Sequence, residues 1–172
     1  MNFSKRWIRL LLVTLTIFVL YNCKYQNYES ELKALKTNLE TNKSIVRLAH
    51  EEVWSKGNIS IIDTLYAQNY IAHWVVGEDT GLDEFKKMIV NNRISFPDLN
   101  EKIIHIVAEG DFVVTHFISS GTFKECMGNI PATGKRASNP EIAIHRIENG
   151  KIAEQWTVSD RLNMLTQLGI QL

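Results

Sequence analysis

Cysteine is scarce in this 172-residue chain, and neither sign of charge is in excess. The two cysteines, Cys23 and Cys126, have 102 residues between them and are too few for a metal site. Counting alone permits a disulfide between them, but the place of Cys23 suggests another use. Lysine plus arginine equals aspartate plus glutamate, 19 against 19, so the formal net charge is zero. With no basic excess, composition points to no nucleic-acid partner; with no acidic tail, it points to no solvating role. The five histidines show no i, i+4 or His-x-His pairing, so metal binding finds no support. A Gly-rich phosphate loop and a Gly-x-Ser-x-Gly elbow are also missing.

What is present is ordinary globular composition, 45% hydrophobic and 22% charged. That excludes a disordered, collagen-like or polytopic membrane chain. The length suits one domain, which buries roughly two-thirds of its unfolded surface and can enclose a core with a pocket. The first 23 residues read as an address. Lys5, Arg6 and Arg9 precede an apolar run from Leu10 to Leu20. As a helix this run spans about 16 Å, half a hydrocarbon core, which suits the h-region of a secretory signal. With Leu20 three residues before Cys23, the segment resembles a bacterial lipoprotein signal in which Cys23 is acylated. The alternative is an uncleaved N-terminal signal anchor. Cleavage would leave 16 basic against 19 acidic residues, a net charge of −3.

Residues 23–42 form a tether. From Lys24 to Asn42 the chain is polar, lacks Gly and Pro, and carries Leu32, Leu35 and Leu39 at helical spacing. The domain, residues 43–172, starts with a helix from Lys43 to Trp54 that stops at Gly57-Asn58. A short helix over Ile61 to Ala67, an extended piece from Tyr70 to Trp74 and a helix from Gly81 to Phe96-Pro97 come next. Strands are expected at Asn100–Glu109, Phe112–Lys124, Pro140–Glu148 and Lys151–Ser159, with Asn149-Gly150 as a hairpin turn. A last helix, Arg161 to Leu168, stops at Gly169. The pattern is α+β, with helices packed on one face of a curved antiparallel sheet whose open end is a small-molecule pocket.

The last strand carries the chemistry. Ile152, Glu154, Trp156 and Val158 form one row that Asp160 continues, and the bulkier apolar row is expected to face inward. A carboxylate on such a face loses hydration and gains a raised pKa. Asp160 also immediately precedes a helix, where an aspartate is favoured as the N-cap, and the two roles can coexist. His73, beside Trp74, can donate to or accept from a ligand, or be a half-buried histidine satisfied by backbone. His116 shares a row with Phe112, Val114 and Ile118 and is expected on the packed side. His105 reads as outward and His145 as ambiguous, and His50 lies near the polar side of its helix. Cys126 lacks an activating neighbour.

Several segments keep one order and spacing. They are Phe96-Pro97-Asp98-Leu99, Ala108-Glu109-Gly110-Asp111, Gly121-Thr122-Phe123, Pro131-Ala132-Thr133-Gly134-Lys135 and Gly150-Lys151-Ile152-Ala153-Glu154-Gln155-Trp156. Asp160 and Gln167-Leu168-Gly169 complete the series. From about Asn42 onward the chain resembles the SnoaL-like polyketide cyclase (ester cyclase) family of the NTF2-like superfamily. The resemblance implies a cone-shaped α+β barrel, often dimeric, and a ring closure that needs neither metal nor organic cofactor. It also implies Asp160 as general acid/base and His73 as a second pocket residue. Phe123 stands where the family commonly has histidine, and His116 where it often has arginine. Trp74 and Trp156 complete the expected ligand-binding set.

Two functions are consistent with these features. One is a cofactor-free enzyme of the bacterial cell envelope, of cyclase, isomerase or lyase type, acting on a small apolar carbonyl compound. The other is a non-enzymatic lipoprotein that binds a lipid-like or aromatic ligand or supports a homodimer. The expected partners are a small apolar or aromatic ligand, a membrane reached through lipidated Cys23, and a second copy of the chain.

Overall fold

A computed structural model describes the backbone of residues 3–74 and 77–170, and within them the side chains from Tyr21 onward except Cys23. The basic n-region, the run Leu10–Leu20 and the expected lipidation site Cys23 therefore lie outside the described side chains. The chain divides into two compact units, residues 1–38 and 39–172. The first is helical. Helix α1 (Phe3–Leu48) begins in it, and no Gly or Pro interrupts the 46 residues. Among the described residues no helix is long and apolar enough to cross a membrane.

In the second unit the end of α1 runs into a π-helical turn, Ala49–Ser55, which buries Ala49, His50 and Val53. Its wider spacing shows at Lys56, whose N–H donates to the Glu51 carbonyl at 3.0 Å. The turn ends at Gly57, which takes a φ of 70°. A 3-10 turn (Ile59–Ile61) and helix α2 (Ile62–Leu65) lead into strand β1 (Tyr66–Trp74). Strand β2 (Thr80–Gly81) and helix α3 (Leu82–Ser95) follow. Then come β3 (Asn100–Glu109), β4 (Phe112–Thr122), β5 (Arg136–Glu148) and β6 (Lys151–Ser159). Helix α4 (Arg161–Leu168) closes the unit.

The helices pack on a six-stranded sheet of order β2-β1-β6-β5-β4-β3. The sheet is mixed, because β1 runs parallel to β6 while its other pairs are antiparallel. Strand β5 starts before the expected Pro140. That proline pairs with Ile118 of β4, but pairing to β6 begins one residue later, at Glu141–Ser159, so its missing N–H leaves no gap in the ladder.

The facing of the strands differs from the expectation. On β4 the buried row is Val113, Thr115 and Phe117, so His116 turns outward with Phe112. On β6 the inward residues are Ala153 and Gln155, and Glu154, Trp156 and Val158 turn outward. A register shift between Arg146 and Ile147 lets Ile152 be buried as well. Bulk misleads here because large apolar groups also occupy the outer face. Phe112, Ile142, Ile144 and Val158 are 39–61% exposed. The inner row is smaller and more polar because a hollow must be left beneath the helices. One apolar cluster centres on the rings of Tyr66, Tyr70 and Phe85, 4.8–5.3 Å apart. A second centres on Phe96 stacked on Phe123 at 5.2 Å. Trp54 packs against both.

Candidate active site

A cavity of about 200 Å³ is walled by Trp54, Tyr66, Trp74, Met88, Phe117 and Met164. Its polar lining includes His50, Glu101, Asn139, Glu141, His145 and Gln155. The π-helical turn and β3 place the central pair. Ser55 Oγ, at the end of the turn, donates to the His50 carbonyl at 2.9 Å and accepts from the Glu101 N–H at 2.9 Å. Arg93 Nη1 ties turn to strand by donating to the carbonyls of Ser55 and Leu99, at 3.1 and 2.7 Å. With both backbones held, His50 Nδ1 meets Glu101 Oε2 at 2.5 Å, the two side chains being only 5% and 7% exposed.

The contacts continue inward from the pair. His50 Nε2 lies 3.2 Å from Thr115 Oγ1, and Thr115 Oγ1 lies 3.5 Å from His145 Nε2. The edge of Phe117 packs on the His50 ring at 4.5 Å. Among the described buried side-chain atoms, Tyr66 Oη, Asn139 Oδ1 and His145 Nδ1 have no hydrogen-bond partner. A ligand can meet the demand of such atoms.

Burial sets the acidities. It holds the Glu101 carboxyl above its ordinary range, and the hydrogen bond and charge of His50 offset only part of that rise. Burial, reinforced by the charge of Glu101, pushes Glu141 up to about 8, against the pull of the Asn139 amide. Burial and then the charge of His50 lower His145 to about 3, so its imidazole is neutral. The cavity therefore holds one carboxyl paired to an imidazole and another kept largely protonated at neutral pH. Opposed environments of this kind separate base from acid.

The hydrogen-bond chain also fixes what His145 can offer. When Glu101 is ionised it only accepts, so in that state His50 Nδ1 carries a proton. If His50 is neutral, its Nε2 accepts from the Thr115 hydroxyl, Thr115 accepts from His145 Nε2–H, and His145 Nδ1 is left with a free lone pair. If His50 is charged, its Nδ1–H still donates to Glu101, but the two bonds at Thr115 reverse and His145 Nδ1 bears the proton. The chain can thus move a proton from the unpartnered Nδ1 to His50.

Of the residues expected from sequence at the pocket, the structure puts Trp74 on the cavity wall, its Nε1 donating to Thr80 Oγ1 at 2.7 Å. Asp160 is exposed and not among the cavity's lining residues; its Oδ1 accepts from the Asn163 N–H at 3.0 Å, which makes it the cap of α4. Phe123 is buried in the second core cluster. His73 and Trp156 do come together, stacked at 4.7 Å, but away from the cavity lining. His73 Nδ1 meets Asp79 and its Nε2 meets Glu154, both at 2.9 Å, and Glu154 accepts from Arg146 at 2.6 Å. His73 is raised: burial lowers it, but the bonds and charges of Glu154 and Asp79 together raise it more. His116 lies 3.1 Å from His105 and shares a shallow outer depression with Asp160, Ile142 and Val158. Cys126 is an exposed free thiol. Among the described residues no three His, Cys, Asp or Glu side chains gather as metal ligands.

Sequence reasoning missed Glu101, Glu141 and Thr115 and left His50 and His145 without a role. The available clue was the alternate row of each strand. Thr115, Asn139, His145 and Gln155 interrupt apolar positions with hydrogen-bonding groups, as a polar-lined hollow requires.

A sequence profile of the SnoaL-like polyketide cyclases matches residues 44–168. No curated protein sequence matches the chain. Among solved structures it is similar to a candidate polyketide cyclase from Acidithiobacillus ferrooxidans, at 28% identity and a TM-score of 0.68, over 75% of this chain and 94% of that one. TsrD from Streptomyces laurentii is 25% identical with a TM-score of 0.70, over 77% and 97%. IdmH, a candidate polyketide cyclase from Streptomyces antibioticus, shares the fold at 24% identity and a TM-score of 0.67, over 75% and 99%.

Proposed function

Because the chain belongs to the SnoaL-like polyketide cyclase family, we propose that its cavity carries out cofactor-free acid–base chemistry on a small apolar or aromatic carbonyl compound. One observation carries the reading: His50 and Glu101, paired at 2.5 Å, share a cavity with the largely protonated Glu141. In this scheme the Glu141 O–H donates to the substrate carbonyl oxygen. A proton leaves the carbon beside that carbonyl for His145 Nδ1, and Thr115 relays the charge to His50 beside Glu101. His145, with its depressed pKa, transmits the proton and does not keep it. In an isomerase-type reaction the proton returns to another carbon. In an aldol closure the enolate carbon bonds to a second carbonyl carbon and the proton returns to the new alkoxide.

The test is deuterium uptake at the α-carbon of an aromatic ketone in D2O, followed by NMR. Glu101→Gln, checked for folding by circular dichroism, should slow exchange by about 100-fold or more. Asp160→Asn and His73→Gln, at the residues singled out in the sequence, should leave the rate unchanged. Full exchange by Glu101→Gln, or loss confined to the Asp160 and His73 variants, overturns the assignment.

Further parts of the reading are that the chain is exported, cleaved before Cys23, acylated there, held at the bacterial cell envelope and active as a homodimer. The basic residues Lys5, Arg6 and Arg9, the run Leu10–Leu20 and the position of Cys23 support the anchor. Cells grown with labelled fatty acid should label the wild-type protein and not Cys23→Ala. Equal labelling of both would rule out acylation at this residue.

A further inference from the structure

Tyr21, Tyr25, Tyr28, Leu32 and Leu35 succeed one another along α1 at alternating steps of four and three residues, and Leu39 takes the next step. The first five are 38–71% exposed. Steps averaging 3.5 residues keep a stripe facing a second helix that supercoils around the first. In the heptad notation Tyr25, Leu32 and Leu39 are a positions, and Tyr21, Tyr28 and Leu35 are d positions. Further on, the same rhythm reaches Val46 and Ala49, which the domain buries itself, so the stripe free for a partner ends near Leu39.

The flanking charges identify the partner. Lys24 and Glu31 occupy g positions, and Glu29 and Lys36 occupy e positions. In a parallel in-register pair of identical helices each g residue faces the e residue five positions on in the other copy. Lys24 then meets Glu29 and Glu31 meets Lys36, and symmetry makes each pair twice. A fully overlapped antiparallel pair would instead set Glu29 against Glu29 and Glu31 against Glu31. Within one copy Asn27 Nδ2 donates to Glu31 at 3.0 Å, and Tyr25 neighbours Glu29, so both carboxylates already sit along the flank of the stripe.

We propose that residues 24–39, the part of this stripe that stays with the chain after cleavage before Cys23, form a parallel, in-register, two-stranded coiled coil with a second copy of this chain. The inference rests on the homodimer in the reading above, gives it an interface outside the domain, and is independent of the chemistry of the cavity.

Disulfide trapping in the full chain, in membranes or detergent, tests it. On a Cys126→Ser background, which also shows any contribution from Cys23, Leu35→Cys at a d position is compared with Ser30→Cys on the outer face. Mild oxidation should trap several-fold more dimer through Leu35→Cys. Glu31→Lys and Lys36→Glu should each lower the dimer fraction at low salt, and the two together should restore it. Equal trapping at both positions, or a double variant that stays at the single-variant level, overturns the coiled coil. If sedimentation still finds a dimer in that case, the homodimer stands and is held elsewhere.

Discussion

Glu141 and His145 lie on one cavity wall and depart from ordinary acidity in opposite directions, which gives each a signature in stability. Glu141 moves from 4.5 up to about 8. Between those values the folded chain holds a proton that the unfolded chain has lost, so its contribution is full below pH 4.5 and declines as pH rises toward 8. His145 moves from 6.5 down to about 3. Between those values the unfolded chain binds a proton that the folded chain refuses, so stability declines as pH falls. Each group changes stability by at most ~1.4 kcal/mol per pH unit inside its window. Urea unfolding at a series of pH values should show Glu141→Gln gaining on wild type from pH 4.5 to 8, and His145→Gln gaining on wild type from pH 6.5 down to 3. Parallel curves would mean that neither shift exists. None of this was legible in the sequence, because an acidity depends on burial and on neighbours from other strands. His145 was ambiguous by alternation alone, and Glu141 comes after a proline that obscured the start of its strand.

Among the elements, helix α4 offers the sharpest test. Asp160 caps its first turn, and Gly169 ends it at a φ of 75°. Asp160→Ala should cost about 1 kcal/mol in chemical denaturation, and Asp160→Asn, which keeps an acceptor, should cost much less. Equal losses would show that charge matters more than the hydrogen bond. Helix α4 and the turn at Asn149-Gly150 were legible because caps and glycine turns are local chemistry. Strands β3 and β6 were legible in extent for the same reason. Facing was not. Phe112, Ile142, Trp156 and Val158 make the outer surface as apolar as a core, so alternation could be seen but its inward side could not. The π-helical geometry of Ala49–Ser55 left no mark on the periodicity either, since Ala49, Val53 and Trp54 fit an ordinary helix equally well.

For the molecule as a whole, the helices-on-sheet architecture can be read from the order of elements, and the family from motifs spread between Phe96 and Gly169. The position of the hollow cannot, because it lies between two apolar clusters that Trp54 bridges and is lined from both. A hollow of that kind couples ligand binding to folding. An aromatic ketone present at a hundredfold its Kd should stabilise the protein by about 2.7 kcal/mol, seen as a rise in melting temperature. A ketone that supports deuterium exchange without raising the melting temperature would place the chemistry outside the cavity.

The turn over Ala49–Ser55 makes the site depend on chain length as well as on side-chain identity. Ser55 Oγ bonds the carbonyl of His50, five residues back, and accepts from the Glu101 N–H. Losing one residue between them would leave the hydroxyl only four residues on, at ordinary α pitch, and the tie that sets His50 against Glu101 would have to be rebuilt although both letters survived. A substitution scan would not detect that vulnerability; a scan of single-residue deletions would find it first.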